Sequence, residues 1–285
     1  MPFTATGWKG AAVGAAVGAA AARAAYALPE RGPGPGAAGG VFRVAEHARD
    51  VWSRTNFRGE EVTLLEGPAV AAGTCAGILA APGLDRRVRA SALAATAGAA
   101  AFGCYDDLSG GAGARGFRGH LAALARGEVT TGAVKIAGIG GTGLAAAAML
   151  GRRPLDVLVD GALIAGAANL LNLFDLRPGR AAKVALAAGA AGLAGPASGA
   201  VGAMCGATAA LVGEDLGERA MLGDAGANAM GALLGAAAAA SLPRPARLAL
   251  LAGVAGLTAA SEYVSFSKVI AGNRVLRRID EAGRR

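Results

Sequence analysis

The sequence predicts an all-α, polytopic integral membrane protein of about nine transmembrane helices, within a range of about eight to ten, forming one membrane-embedded domain over residues 1 to 285. Three observations lead there. Hydrophobic residues make up 54% of the chain against 17% charged, and the mean hydropathy of +0.44 lies above that of an ordinary soluble domain. Aromatics are only 4% and glycines number 47, so small residues that let helices approach closely stand in for a bulky core. Apolar stretches recur at about the length of a bilayer crossing, separated by Arg-rich or Pro/Gly-rich breaks.

In chain order the candidate spans are approximately 7 to 28, 67 to 84, 88 to 105, 132 to 151, 155 to 174, 182 to 195, 197 to 213, 226 to 241 and 246 to 264. The first carries GxxxG spacing at Gly10, Gly14 and Gly18, and its Arg23 must snorkel or face the bundle interior. AYA at 25 to 27 would suit a signal-peptide cleavage site, but Lys9 is a thin positive n-region and Arg23 interrupts the apolar run. Residues 29 to 66, opening PERGPGPGAAGG, are too polar and broken to be embedded and read as a loop, with a short surface helix near EHARDVW. PGLDRR separates spans two and three, GRRP spans four and five, and PRP precedes the ninth. Several spans are short, which neighbours or local bilayer thinning must accommodate.

Charge sets the orientation. The segments at about 29 to 66, 106 to 131 with Lys135, 176 to 182 with Lys183, 214 to 225 and the tail 265 to 285 hold 19 of the 28 Lys and Arg, against 8 on the other side. The positive-inside rule makes the richer set cytoplasmic, the N-terminus outside and the C-terminus inside, in a multi-pass protein of the inner (plasma) membrane. The net charge of +8 then points to anionic lipid head groups of the bilayer and to phosphates, with no nucleic acid partner. Cys75, Cys104 and Cys205 stand singly in apolar stretches, which argues against disulfides or zinc, and His47 and His120 lie apart in polar loops.

Three polar clusters then fall on the cytoplasmic side. GCYDDLSG places Asp106 and Asp107 at the end of the third span, NLLNLFD places Asn169, Asn172 and Asp175 at the end of the fifth, and LGDAGANAMG places Asp224 before the eighth. On a helix the two asparagines and Asp175 cover a sector of about 120°, which belongs against protein or water. Taken alone the amides serve equally well as interhelical hydrogen-bond glue. Carboxylates are the hard oxygen ligands that Mg²⁺ takes with water and phosphate, and Lys135, Arg177, Arg180 and Lys183 would meet anions. No GxxxxGK[ST] loop is present, which excludes a P-loop ATPase, and NLLNLFD has no twin in a second half, which argues against a transporter built from repeats.

At these residues the chain resembles the polyprenyl-phosphate N-acetylhexosamine-1-phosphate transferase family (MraY/WecA-like, glycosyltransferase family 4). The resemblance rests on AFGCYDDLSG, NLLNLFD, LGDAGANAMG and the basic stretch GFRGHLAALARGEVTTGAVK, in the family's order over residues 50 to 240 or so. It implies transfer of a sugar 1-phosphate from a UDP-sugar to undecaprenyl phosphate at the cytoplasmic face, releasing UMP, with Mg²⁺ or Mn²⁺, for cell-envelope polymer or peptidoglycan precursors. Carried over by position, Asp106, Asp107 and Asp224 are catalytic, with Asp224 and Asp107 on the metal. Lys135, Asn172 and Asp175 match substrate-binding positions, Asn169 and the nearby cations Arg177 and Arg180 are expected to bind substrate beside them, and a homodimer is allowed. The chain departs from the pattern in LRPGRAAK after NLLNLFD, in the missing lysine after DDLSG and in the absent His-rich loop, whose place SEYVSFSKVIAGNRVLRRIDEAGRR takes. Glu262 and Lys268 in that stretch read as an interfacial anchor. Those departures give the alternative, a catalytically degenerate homologue that binds a lipid-linked intermediate or an envelope-synthesis partner.

Overall fold

The computed structural model describes residues 5 to 28, 51 to 56, 58 to 109 and 130 to 285. Each candidate span falls on a helix: α1 Ala5–Ala27, α2 Glu66–Ala80, α3 Arg86–Ser109, α4 Thr131–Met149, α5 Pro154–Phe174, α6 Arg180–Gly192, α7 Ser198–Leu216, α8 Gly223–Ser241 and α9 Arg244–Ser261. Two short helices, α10 Phe266–Gly272 and α11 Arg274–Glu281, fold the stretch expected as a plain tail. His47, His120, the Pro/Gly-rich opening of the 29 to 66 loop and most of the basic stretch before Lys135 lie outside the described residues.

Length and hydropathy are less uniform than nine crossings require. Among the described residues α4 and α5 are long and apolar enough to cross a membrane, and α9 joined to α10 would make a third. The 15 residues of α2 and the 13 of α6 reach only about 20 Å, short of a hydrocarbon core of about 30 Å. Elsewhere Ala and Gly dilute the hydropathy, and α1 also holds Lys9 and Arg23. The described residues are therefore mainly helical, with two or three helices apolar enough to span a membrane; nine crossings exceed what they establish.

The helix ends follow local chemistry. Asp85 caps α3 by accepting from the N–H groups of Arg87 (2.9 Å) and Val88 (3.2 Å), and Thr130 caps α4 through the N–H of Ala133 at 3.1 Å. Gly179 (φ 72°) and Gly223 (φ 58°) turn the chain into α6 and α8 through left-handed backbone that a side chain would strain. The GxxxG face of α1 does what its spacing predicts: a Cβ on Gly14 would strike the carbonyl of Gly199 in α7, and one on Gly18 that of Ala203. Arg23 is exposed and reaches Glu214 at the end of α7, at 3.3 Å.

At the centre stands α8. It packs against α2 through α7, and Ala225 to Leu233 are buried without exception. Successive helices alternate in direction, so the ends of α3, α5 and α7 and the starts of α2, α4, α6 and α8 gather at one end of the bundle. The loop expected over 29 to 66 carries, in its described part, an antiparallel ribbon of β1 (Ser53–Thr55) and β2 (Glu61–Thr63) with Arg54 opposite Val62. Thr63 accepts from the N–H of Met221 at 2.9 Å, so the ribbon braces the loop that leads into α8. Strands of three residues are too short to display a period of two in sequence.

Candidate functional site

The site forms where α3, α4 and α8 meet. Gly103 lets α3 approach so closely that a Cβ there would strike the carbonyl of Asp224. One turn on, Asp107 points at the first turn of α8: its two carboxylate oxygens accept from the backbone N–H groups of Asp224 (3.0 Å) and Ala225 (2.9 Å). This is a helix cap supplied by a distant residue, an anion on the positive end of the helix. Asn228 donates to the carbonyl of Asp224 at 2.7 Å, which fixes the same turn from inside α8.

Lys135, near the start of α4, holds the other two carboxylates. Its Nζ pairs with Asp224 and lies 3.0 Å from Asp106 Oδ2, with all three side chains about one fifth exposed (16%, 22% and 19%). Asp106 and Asp224 are also hydrogen-bonded to each other, a carboxyl pair over one ammonium. Burial, aided by Asp106, pushes Asp224 up to about 6. Burial acts in the same sense on Asp106, but the bonds from Asp224 and Lys135 hold it below the usual carboxylate range. Asp107 is raised by burial even though the α8 amides favour its charge. The two carboxyls are thus pushed apart, Asp224 holding its proton up to about pH 6 and Asp106 releasing its own lower, which is how like charges at such separation divide their protons.

The sequence therefore predicts a constellation that the fold assembles: Asp106, Asp107, Asp224 and Lys135 converge from three helices. Asp175 joins them, since its carboxylate accepts the N–H of Gly223, and burial together with Asp215 pushes it well above its ordinary range. Asn169 and Asn172 lie half-buried on the last turns of α5, and Arg177 is half-buried in the turn after it. Two of the expected site residues have structural partners as well. Asp107, assigned to catalysis and metal, accepts a backbone N–H of α8 on each oxygen, which gives it a positioning role. Arg180, assigned to substrate, is buried in a fork with Asp280 (2.7 and 3.1 Å) and bonds Ser267 at 3.0 Å, because the tail folds back to meet it.

The fold also adds residues that sequence reasoning missed. Arg54 of β1 donates to the carbonyl of Asp107 and to that of Ser53 at 2.7 Å, clamping the ribbon to the end of α3. Glu66, in the first turn of α2, is fully buried with neither carboxylate oxygen hydrogen-bonded, and Asp215 leaves Oδ2 in the same condition. Burial and then Asp215 and Asp175 push Glu66 well above its usual range, while burial takes Asp215 to about 6. A glutamate opening an apolar run in LLEGP was the available signal. An apolar cavity of about 1190 Å³ begins at Phe174, beside Asp175, and runs along α5, α6 and α8 past Leu170, Val184 and Leu234 to Gly195.

Among the described residues no group of three His, Cys, Asp or Glu side chains is set to hold a metal ion unaided. The donor chemistry nevertheless suits Mg²⁺, which takes one or two carboxylates and fills its shell with water and phosphate. Asp106 and Asp224 are the donors of that kind, paired at present with the ammonium of Lys135. No protein-family model matches the chain, and no curated protein matches it.

Proposed function

We propose that the protein transfers a sugar 1-phosphate, of N-acetylhexosamine type, from a UDP-sugar to undecaprenyl phosphate at the cytoplasmic membrane face, with Mg²⁺ or Mn²⁺. The observation that carries the reading is the meeting of Asp106, Asp107 and Asp224 around Lys135, with three carboxylates to one ammonium. These are the motif residues of the transferases that the sequence resembles. An oxygen of the acceptor phosphate attacks the β-phosphorus that bears the sugar. The bond from that phosphorus to the bridging oxygen breaks, and UMP leaves with the oxygen. Asp106 and Asp224 would hold the cation, whose chemistry when bound is to neutralise pyrophosphate charge. Lys135, displaced from its carboxylates, offers a second positive charge to phosphate. Asp107 keeps Asp224 in register, and the apolar cavity that starts beside Asp175 suits a polyprenyl chain. Nine crossings with the N-terminus outside and the tail inside belong to the same reading.

The test is UMP release by the purified protein given a panel of UDP-sugars, undecaprenyl phosphate and Mg²⁺ or Mn²⁺, with the lipid product identified by mass spectrometry. Asp224→Asn and Asp106→Asn should abolish release. Asp107→Asn, which keeps one acceptor oxygen for α8, should reduce it. Full turnover in Asp224→Asn would refute the assignment. A second reading, the degenerate homologue that binds a lipid-linked intermediate or an envelope-synthesis partner, is favoured by the ammonium of Lys135 between the two carboxylates. It expects lipid binding and no UMP with any donor.

A further inference from the structure

Between α9 and α10 the chain bends by 91°, so it leaves the direction of the apolar helix and runs across the end of the bundle. There it is held firmly. Phe266 stacks on Phe174 with ring centroids 5.1 Å apart, and Asp280 of α11 takes the fork of Arg180. Lys183 donates to the carbonyls of Ile279 (3.1 Å) and Asp280 (2.7 Å), closing the end of α11, while Arg284 reaches the carbonyl of Pro178 at 3.3 Å. At the other end Asn273 caps α11 through the N–H groups of Val275 (3.0 Å) and Leu276 (3.1 Å).

The edge of α11 that bears Asp280 thus meets the bundle. Its apolar residues are left uncovered beside that edge: Val275, Leu276 and Ile279 are 65%, 42% and 57% exposed. At about 100° per residue these three share one arc of about 100°, bordered by Arg278 and Asp280, with Arg274 and Arg277 on the remaining face. Val264 and Val269, earlier in the same stretch, are also exposed, and Lys268 with the three arginines gives the segment a surplus of exposed positive charge. A helix fastened to the bundle by one edge through Asp280, with an uncovered apolar arc on one side of that edge and arginines on the other, matches an anionic bilayer surface in both polarity and sign.

We propose that α11 lies in the interface of an anionic lipid leaflet, with Val275, Leu276 and Ile279 among the upper acyl chains and Arg274, Arg277 and Arg278 at the lipid phosphates. The inference rests on the membrane character of the bundle and not on the transferase reading, so it stands or falls apart from UMP release. The experiment uses the full-length protein with Cys75, Cys104 and Cys205 replaced by alanine, reconstituted in vesicles. A fluorophore is attached at Ile279→Cys or, on the opposite face, at Arg277→Cys. In vesicles containing phosphatidylglycerol the label at 279 should shift to the blue, lose quenching by iodide and gain quenching by nitroxide on lipid chains. The label at 277 should stay open to iodide. Equal iodide quenching at both positions overturns the proposal, as does equal protection in phosphatidylcholine alone. Protection that grows with protein density and yields a 279 to 279 disulfide overturns it in favour of a second copy. Should Ile279→Cys fail to fold, Val275→Cys reports on the same stripe.

Discussion

At one end of the bundle Asp156 and Asp160 of α5 meet Arg152, Arg244 and Arg247; at the other, Asp106, Asp107 and Asp224 meet Lys135. In the first network Arg247 pairs with Asp160 and lies 3.2 Å from Asp156, Arg152 lies 3.4 Å from Asp160, and Arg244 lies 3.5 Å from Asp156. Asp160 and Arg247 are both buried, and cations slightly outnumber carboxylates. It joins α9, which buries little besides Arg247 and Val254, to α5. In the second network carboxylates outnumber the ammonium, and Asp175, Asp215 and Glu66 stand behind it as further carboxyl groups that burial pushes toward the protonated form. A charge network that closes on itself fastens helices. One left with surplus carboxylate is complete only with protons or a cation from outside, and that difference singles out the second end as the site.

The largest effect should come from opening the closed network. Arg247→Ala leaves Asp160 buried without its partner and should cost about 3 to 5 kcal/mol, read as a lowered unfolding temperature in detergent. Replacing both with Leu and Met should recover most of that loss. A cost no greater than that of an exposed arginine would erase the distinction between the two ends.

Opposite in sign is the expectation at the site. Asp224 has its folded pKa raised to about 6 from an ordinary 3.8, so its contribution to stability is present below 3.8 and lost as pH rises through about 6. At pH 7.5 Asp224→Asn should therefore stabilise the fold, by roughly 1 to 3 kcal/mol, while abolishing function. Affinity for Mn²⁺, followed by electron paramagnetic resonance, should fall as pH drops through about 6, because protons compete for the same oxygens. A flat profile would place the ion on other groups. The smallest effect belongs to the rim: Arg23, 56% exposed in its pair with Glu214, should change stability by under about 1 kcal/mol as Arg23→Ala.

Much of this was legible before the fold. Runs of small apolar residues broken by PGLDRR, GRRP and PRP mark helix positions well, because Pro and Gly act on the backbone locally. The spacing of DD, NLLNLFD and GD foretells three polar helix ends, and alternation of helix direction is enough to bring them together. What the residues conceal is anything decided by a remote partner. Arg180 looks like a cation awaiting phosphate until Asp280, a hundred positions later, takes its fork. That Asp107 caps α8 depends on amides 117 positions away, and although a glutamate opening the apolar run in LLEGP is a signal, its complete burial comes from the packing of α2 on α8. The two-stranded ribbon and the tail helices are too brief for any periodicity to stand out.

The grip of Asp107 on α8 joins residues 117 positions apart. Relative placement of the two aspartates is thereby settled by two helix ends touching, and the lengths of the connections between them hardly matter. Added residues in those connections leave the pairing untouched, whereas one extra residue in α3 between Gly103 and Asp107 would swing the carboxylate about 100° around the helix and away from its amides.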